Sequence, residues 1–456
     1  MQAEAIKTLL PVEIRTALPE ALELYLRFHR FPELSGHERR TAAGFAAVLD
    51  DAGYRVTMGV GGHGVVGVLR NGDGPAVMIR AELDALPVAE RTGLPYASVI
   101  RPAPASGDDG AAMHACGHDA HAACVLGAAR VLARLAADWN GTLIVIGQPA
   151  EETLAGAKAM LLDGLYRRFP RPDVVLAQHV ATFPAGFAAH GEGIMLAASV
   201  TVDVVVTGPG GHAATTRLTA NPIEVAVAAV GTLRQLVAAG GGGGTDAADG
   251  REAVVSIGSL HAGTSANVIP GEARVSVTMR CRDESRLAEM TRALAAILRE
   301  RQRAGDVEGF RVCERSRSAV TASDSRYGPA VRRVHESLLG RGRVMAWPVS
   351  MATEDFSLFG PAGTSLYGGP EVPLVYWGIG CVGPERWQST VPGGSAQDKI
   401  AALPANHSGR FAVDPVPTIR AGITTMASAA LGLLDPASPS SEEISSGETE
   451  RHHVNH

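Results

Sequence analysis

The first half of the chain alternates between two spacings of apolar residues. Residues 13–30 and 37–52 carry apolar positions at helical spacing, and residues 118–137 form an Ala-rich amphipathic helix. Short runs rich in Val, Ile and Leu, bounded by Gly, Pro or Asp, predict strands over 64–70, 76–83, 142–147 and 174–179. This alternation predicts an α/β domain with a mostly parallel, buried sheet, in which ligands gather where the strands end.

The pattern changes at about residue 196. The apolar spacing then predicts, in order, a strand, a helix, two strands, a helix and a strand, over 198–207, 221–238, 252–261, 272–281, 284–304 and 308–314. This order is typical of a split βαβ sandwich, a four-stranded antiparallel sheet with two helices on one face. We therefore expect residues 196–315 to form a smaller domain inserted into the first.

Helix and strand signals return after residue 326, at 327–340 and 420–434, so we expect the chain to re-enter the larger domain. The predicted larger domain thus consists of residues 1–195 and 316–435. Within the inserted domain, the glycine run at 240–244 predicts a flexible loop. The last segment, 436–456, is rich in Ser and Glu and predicts a disordered tail, in which His452, His453 and His456 are solvated.

Composition narrows the class of protein. A chain of 456 residues, 46% of them hydrophobic and 19% charged, suggests a compact protein of two or three domains. The 41 basic residues are outnumbered by 47 acidic ones, and no basic stripe appears, which argues against nucleic acid or an anionic membrane as a partner. The start of the chain lacks a secretory pattern, and no run of about 18 apolar residues appears, which predicts a cytoplasmic protein.

Five cysteines, an odd number spread widely along the chain, do not form a disulfide framework, and reduced thiols are expected. Cys124, Cys281, Cys313 and Cys381 are predicted to be small core residues. Cys116 differs because Gly117 and three histidines crowd it, which leaves its thiol free to bind a metal ion.

Residues 113–121 read Met-His-Ala-Cys-Gly-His-Asp-Ala-His, and an apolar run about thirty residues later ends in Gln-Pro-Ala-Glu-Glu at 148–152. Thiolate and imidazole, from Cys116 and His118, can grip one borderline divalent ion. The paired Glu151 and Glu152 can supply one further ligand and one general base. The simplest interpretation is a metal-dependent hydrolase.

Two glycine-rich segments could bind a ligand or be simple turns. Residues 59–64 match the dinucleotide pattern GxGxxG, but that motif must follow a strand and open a helix, and here it precedes a strand. Residues 208–212 end in His212 and are either a simple turn or a segment that reaches a ligand. The residues alone leave both alternatives open.

The His114–His121 segment resembles the metallo-amidohydrolases that include hippurate hydrolases, N-acyl-amino-acid hydrolases and plant indole-acetyl-amino-acid hydrolases. Seven further segments occur in that family's order between about 20 and 430, and they are residues 80–87, 148–152, 178–179, 211–214, 266–271, 353–357 and 406–408. Each motif alone is weak evidence for the resemblance, but all of them in the family's order are strong evidence for it.

The resemblance implies a two-domain, exopeptidase-like fold in which the inserted domain is a lid and mediates homodimerisation. It implies two divalent metal ions, Mn²⁺ or Zn²⁺, with a bridging thiolate from Cys116. The implied ligands are Cys116, His118, Glu152, His179 and His407.

The resemblance also implies roles for four other residues. Glu151 is the implied general base, and Asp84 is the implied carboxylate that orients the site. His212 from a partner subunit polarises the substrate carbonyl or stabilises its oxyanion, and Asn267 helps to hold the substrate. These roles agree with the known chemistry of activated water beside a proton acceptor.

The chain also departs from the family's usual pattern. Glu82 stands where the family usually has Asp, Thr215 and Thr216 where it has Pro, and Asn221 where it has Asp before Pro222. The segment 98–112 is longer than expected. Since no departure falls on an implied ligand, we expect them to affect the choice of substrate rather than hydrolysis.

The predicted function is hydrolysis of the amide bond of a small N-acyl amino acid to a carboxylic acid and an amino acid. Two alternatives are a dipeptidase or aminopeptidase of the same architecture and a non-catalytic metal-stabilised binding protein. The Cys-Gly-His form of the motif favours acyl amino acids over peptides. Glu151 argues against a purely structural metal site, which needs no general base.

Overall fold

The computed structural model describes residues 2–100, 110–215, 220–238 and 253–434. The chain folds into two compact units. The first unit comprises Met1–Met195, Ala322–Pro348 and Asp355–His456, and the second comprises Leu196–Thr321 and Val349–Glu354. The predicted loop at 240–244, the predicted tail with its three histidines and most of segment 98–112 lie outside the described residues.

Helices and strands are numbered here in chain order. The helices are α1 Gln2–Arg30, α2 Arg39–Asp51, α3 His118–Arg134, α4 Gly156–Leu162, α5 Leu165–Arg168, α6 Pro222–Val237, α7 Glu284–Arg303, α8 Tyr327–Leu339, α9 Thr364–Tyr367, α10 Pro384–Ser389, α11 Ala396–Ala402 and α12 Pro415–Leu433. The strands are β1 Arg55–Val60, β2 Gly64–Asn71, β3 Ala76–Glu82, β4 Gly141–Gln148, β5 Val174–Pro184, β6 Ala188–His190, β7 Ile194–Leu196, β8 Ala198–Thr207, β9 Gly211–His212, β10 Ala253–Ala262, β11 Val268–Ile269, β12 Glu272–Cys281, β13 Gly309–Ser318, β14 Thr321–Ala322, β15 Val344–Ala346 and β16 Leu374–Val382.

The first unit is built on an eight-stranded sheet with the order β1-β2-β4-β3-β5-β16-β6-β15. Four of its seven strand pairings are parallel, and they include the adjacent strands β4, β3, β5 and β16. Every residue of β4 and β16 is buried, as expected for central strands that are covered on both faces. This sheet confirms the predicted α/β class.

Helix α3 packs against α1, α12 and β3 in the core of this unit. Its many alanines allow this close packing because small side chains let neighbouring backbones approach. At Gly127, an added Cβ would lie 2.5 Å from Cδ1 of Ile423, so even Ala does not fit there without movement. The helix that begins at His118 is therefore fixed in position by its neighbours on three sides.

The second unit is a four-stranded antiparallel sheet with the order β10-β12-β8-β13 and two helices, α6 and α7, packed on it. Side chains of β12 point alternately towards the helices and away from them. The side chains of Val275, Val277 and Met279 are on the buried face. Asn221, one of the departures from the family pattern, caps α6 by accepting a hydrogen bond from the Ile223 N–H. This arrangement confirms the predicted split βαβ topology.

The structure corrects several details. Cys313 is exposed on the edge strand β13, so its assignment to the core is wrong, whereas Cys124, Cys281 and Cys381 are buried. Helix α1 begins at Gln2 rather than at residue 13 and continues through two prolines. The expectation that segment 59–64 precedes a strand rather than opening a helix is confirmed, because the segment forms the turn of an antiparallel hairpin between β1 and β2. In the part of the chain described, no helix combines the length and apolar content needed to cross a membrane.

Candidate metal centre

Three neighbouring parallel strands place predicted site residues at one edge of the first unit's sheet. Asp84 lies two residues after β3, and Glu151 and Glu152 lie just after β4. His179 is the middle residue of β5, which pairs with β3 so that Arg80 lies opposite Ala177. Because the carboxyl ends of adjacent parallel strands meet at one sheet edge, four predicted site residues converge there.

Gly117 allows two further donors to face this edge. It lies between Cys116 and His118, has a φ of 86°, and caps the N-terminus of α3. An added Cβ would lie 2.4 Å from Cγ2 of Val180, so both backbone conformation and space require glycine. The turn therefore places a thiol and an imidazole one residue apart at the start of a buried helix.

The predicted ligand side chains form two groups that share one sulfur. Cys116, His118 and His179 bring their donor atoms within 4.8 Å of one another, and so do Cys116, Glu152 and His407. Cys116 Sγ lies 3.4 Å from His179 Nε2, and His407 Nε2 lies 3.5 Å from a Glu152 oxygen. A thiolate shared between two groups of donors is an arrangement that suits two adjacent cations.

The Nδ1 atoms of His118 and His179 bond to main-chain carbonyls, which leaves Nε2 of each ring facing the group that both residues form with Cys116. His118 Nδ1 donates to the Asp84 carbonyl at 2.9 Å, and His179 Nδ1 donates to the Val180 carbonyl at 2.8 Å. Nε2 of His118 is buried and, among the described residues, has no hydrogen-bond partner. Burial by itself lowers the pKa of His118, but the interactions with Asp84 and Cys116 outweigh that effect and raise it well above its usual value. A divalent metal ion bound at this nitrogen, beside a thiol and two carboxylates, would therefore take the place of a proton.

The protein alone does not favour the thiolate. Burial and, to a lesser extent, the charge of Glu152 raise the pKa of the Cys116 thiol to about 12. Burial, together with His121, lowers the pKa of His179 well below its usual value, so this imidazole stays neutral. Metal binding at Cys116 therefore displaces a proton from the thiol, whereas His179 already presents a lone pair.

Asp84 connects three parts of this site. Its carboxylate accepts hydrogen bonds from the Ser35 hydroxyl at 2.7 Å and from the Glu152 N–H at 2.9 Å, and it lies 3.2 Å from His118 Nδ1. Burial by itself raises the pKa of Asp84, but the hydrogen bond and charge of His118 outweigh that effect and lower it. An ionised Asp84 fixes both the ring of His118 and the main chain of Glu152.

Glu151 is buried, and one of its carboxylate oxygens lies 3.8 Å from His118 Nε2. The preceding Ala150 has a φ of 49°, a conformation that few residues other than glycine adopt. His407 also has a positive φ, of 70°. Local backbone strain of this kind is concentrated at functional sites, where the surrounding structure holds it in place.

His212 and Asn267 lie in the second unit. Strand β9 pairs with β11 so that His212 lies opposite Val268, and the Ala213 N–H donates to the Asn267 carbonyl at 3.0 Å. Both side chains are exposed. The structure thus places these two predicted site residues beside each other, and the other seven in the first unit.

Several supporting residues were not predicted from the sequence. Glu38 accepts a hydrogen bond from the Ala150 N–H at 2.8 Å, and Asn406 donates to the Cys116 carbonyl at 3.1 Å. His121 was visible in the motif but was given no role. Its position three residues after His118 on α3, and hence on the same helix face, is the signal that could have identified it.

Known proteins with similar sequences are hydrolases. The sequence pattern of peptidase family M20/M25/M40 matches residues 78–381. A hippurate hydrolase of Campylobacter jejuni is 33% identical over 75% of this chain and 87% of its own length. An IAA-amino acid hydrolase of Arabidopsis thaliana, ILR1-like 2, is 31% identical over 73% of this chain and 72% of its own length.

A solved structure is also similar. The YXEP protein of Bacillus subtilis, described as a dinuclear metal binding peptidase from the M20 family, superimposes with a TM-score of 0.67 and 25% identity. The match covers 92% of this chain and 99% of that one.

Proposed function

The chain belongs to peptidase family M20/M25/M40 and is a metal-dependent amidohydrolase, and from this premise we propose that it hydrolyses the amide bond of N-acyl amino acids. The products are a carboxylic acid and a free amino acid. The observation that carries the proposal is the pair of donor groups sharing Cys116, with the buried Glu151 carboxylate beside them.

We propose that Cys116, His118, Glu152, His179 and His407 would hold two divalent ions, Mn²⁺ or Zn²⁺, with Cys116 the residue that both donor groups share. When bound, such ions supply Lewis acidity, which lowers the pKa of water and polarises a carbonyl. The dinuclear metal site named for the YXEP protein supports this assignment.

The chain's own residues then transfer the proton of the attacking water. Glu151 accepts a proton from the attacking water and returns it to the nitrogen of the leaving amino acid, so that the amine departs uncharged or protonated rather than as an amide anion. Asp84 holds His118 and the Glu152 main chain in place during both transfers. His212 of the partner subunit polarises the substrate carbonyl or stabilises its oxyanion, and Asn267 helps to hold the substrate.

A cavity beside His407 supports a substrate that carries a carboxylate. It has a volume of about 430 Å³, and Val88, Arg91, Ser408 and Arg410 contribute to its lining. Arg91 and Arg410 are exposed, and neither makes an ion pair with another described residue. Guanidinium groups bind carboxylates through paired hydrogen bonds, so this cavity suits the amino-acid end of the substrate.

We expect Arg410→Ser to raise the KM for acyl amino acids several-fold with little change in kcat, because it removes a charge that contacts ground state and transition state alike. Arg15→Ser, which removes an exposed guanidinium elsewhere in the first unit, is the matched control. Steady-state kinetics of both variants provide the test. An unchanged KM in Arg410→Ser contradicts the assignment of the carboxylate to this cavity.

The central experiment is a substrate panel. Chelator-treated protein, with and without added Mn²⁺ or Zn²⁺, is incubated with N-acetyl, N-benzoyl and indole-acetyl amino acids and with dipeptides. We expect metal-dependent release of amino acid from the acyl amino acids and weak hydrolysis of the dipeptides. Faster cleavage of dipeptides supports the peptidase alternative, and stoichiometric metal binding without hydrolysis of any amide supports a binding protein.

A further inference from the structure

His121 lies fully buried beside the proposed metal ligands, and both of its ring nitrogens are engaged by the protein. The Val180 N–H donates to His121 Nε2 at 2.8 Å. Because that bond requires a lone pair on Nε2, the proton of the neutral ring lies on Nδ1, which donates to a Glu82 oxygen at 2.8 Å. Although Glu82, His118 and His121 bring donor atoms within 4.8 Å of one another, His121 has no lone pair left for a metal ion.

The residue that His121 holds is the one that orients a proposed ligand. The carbonyl of Val180 accepts the Nδ1–H of His179 at 2.8 Å, which directs Nε2 of His179 towards Cys116 Sγ, 3.4 Å away. The rings of His121 and His179 also contact edge to face, with centroids 4.4 Å apart. His121 therefore restrains both the main chain and the ring of His179.

Glu82 anchors His121 to the buried centre of the sheet. The second oxygen of Glu82 accepts a hydrogen bond from the Arg80 guanidinium, which also donates to Gln148 at 2.8 Å and to Asp355 at 3.2 Å. Glu82 and Arg80 are both buried. Burial by itself raises the pKa of Glu82, but Arg80 and His121 outweigh that effect and hold it well below its usual value.

We propose that Glu82 and His121 are positioning residues for the metal ligand His179, acting through the hydrogen-bonded chain Glu82–His121–Val180–His179. The inference rests on the proposed function, because it concerns the ion that His179 holds. Both oxygens of Glu82 are used, one by Arg80 and one by His121. Glu82, which replaces the family's usual Asp at this position, therefore still provides a carboxylate that binds both Arg80 and His121.

Two variants separate the two hydrogen bonds of His121. His121→Gln keeps an acceptor near the position of Nε2, whereas His121→Asn keeps a donor near the position of Nδ1. We expect His121→Asn to lower the Zn²⁺ or Mn²⁺ affinity of the chelator-treated protein by the about 10–100-fold typical of residues that orient metal ligands. His121→Gln should rescue most of that affinity, because the Val180 N–H retains its acceptor.

Metal affinity is measured by competition with a chromophoric chelator, and the melting temperature of each metal-free protein is measured in parallel. His335→Gln is the matched control, because His335 is another fully buried histidine of the first unit, bonded to His190 and to the Thr425 carbonyl. We expect it to lower the melting temperature and to leave metal affinity unchanged. If His121→Asn does not fold, Glu82→Gln takes its place, with the same expected loss of affinity.

The outcomes are distinct. Lower melting temperatures with wild-type metal affinity in His121→Asn and Glu82→Gln overturn the inference and leave His121 a purely structural residue. Loss of one metal equivalent from both His121→Asn and His121→Gln overturns it in a different way, because His121 is then itself a ligand. Failure of the wild-type protein to bind metal refutes the proposed function instead.

Discussion

The adjacent Glu151 and Glu152 differ in what their carboxylates can reach. Glu152 lies 3.9 Å from His118 Nε2 and 3.5 Å from His407 Nε2, so it lies close to proposed ligands of both groups. A Glu151 oxygen lies 3.8 Å from His118 Nε2, and Glu151 also brings an oxygen within 4.8 Å of carboxylate oxygens of the buried Glu354 and Asp355. This difference supports the division in which Glu152 binds metal and Glu151 transfers protons.

We expect Glu151→Gln to reduce kcat by at least the roughly 10²–10⁴-fold typical of a general base, while metal content stays near that of the wild type. Glutamine keeps the size of the side chain but cannot accept the proton of water. Activity assays combined with elemental analysis of the purified protein provide the test. Glu152→Gln is the matched control and should lose metal as well as activity. Loss of metal from Glu151→Gln contradicts the division of roles.

We expect Cys116→Ala to bind less metal and to lose activity, because alanine removes the sulfur that both donor groups share. Cys281→Ala is the control, since Cys281 is also a buried free thiol but lies in the second unit. It should retain its metal and activity. Metal stoichiometry measured after dialysis distinguishes the two variants. Full metal content in an active Cys116→Ala enzyme would refute the site assignment.

At the residue level, the sequence indicated Cys116 and His118 directly, because the motif places chemically distinctive residues side by side, whereas His179 and His407 followed only from the family resemblance. It did not indicate the supporting contacts. His121 meets Val180 and Glu82 only after α3 has packed against β3 and β5, and neither partner is close to it in sequence. Glu38 likewise reaches the Ala150 N–H across 112 residues. Such contacts depend on tertiary packing, which local patterns do not encode.

At the level of elements, prediction was most accurate where a single periodicity governed a segment. The bounds of β12 were predicted without error, and those of β2 and β4 within one residue. Helix α1 is longer than the predicted 13–30, because it extends through Pro11 back to Gln2 although proline lacks the N–H that a helix interior uses. The sequence did not indicate strand β16, although all its residues are buried, because two glycines interrupt its apolar run. Exposed β1 lacks a continuous apolar run.

A buried histidine links elements around the candidate site. His29, near the end of α1, lies between two buried carboxylates, with Nδ1 2.7 Å from Asp119 on α3 and Nε2 3.1 Å from Glu90. Glu90 in turn accepts hydrogen bonds from Thr92 and from the Ser98 N–H. Burial alone lowers the pKa of His29, but the two carboxylates outweigh it and raise the pKa from 6.5 to about 10.

This cluster predicts a specific dependence of stability on pH. Because the pKa of His29 is higher in the folded state, its contribution to the free energy of unfolding is complete below pH 6.5, declines as pH rises, and is lost above about pH 10. We expect the wild type to lose about 1.4 kcal/mol per pH unit between pH 8 and 10 relative to His29→Gln. Urea unfolding at several pH values measures the slope of the free energy of unfolding against pH for each protein. A chelator is present so that metal binding adds no pH dependence of its own. Equal slopes contradict a protonated His29.

At the level of the whole molecule, the chain passes through the second unit and then returns to complete the first. Cys116 and His118 come from the part before residue 196, whereas His407 comes from the part after residue 354. The two parts are joined at the site itself, where the His407 N–H donates to the Ala115 carbonyl at 2.8 Å and Asn406 donates to the Cys116 carbonyl. The proposed metal centre therefore requires the complete first unit.

His212 lies in the second unit, and the proposal that it serves the metal centre of a partner subunit requires a two-fold dimer with composite sites. A two-fold contact repeats the same exchange in both directions, so each site would combine Glu151 from one chain with His212 from the other. We expect His212→Ala and Glu151→Gln, each inactive alone, to regain activity when they are co-expressed with different tags and purified as the mixed dimer. One of its two sites then carries both intact residues.

The matched control for this complementation is the mixed dimer of Glu151→Gln and Cys116→Ala. Both of those residues lie in the first unit, so each site of that dimer lacks one of them, and no activity should return. Activity per mixed dimer, compared with each variant alone, is the measurement. A lack of rescue in the His212→Ala mixed dimer, or an active enzyme that sediments strictly as a monomer, would show that His212 acts within its own chain or has no role in the reaction. Rescue in the first pair without rescue in the control pair requires that His212 act at the site of the other chain. In the control pair each chain carries a defect in its own first unit, so both metal centres are damaged and neither can be restored by the partner.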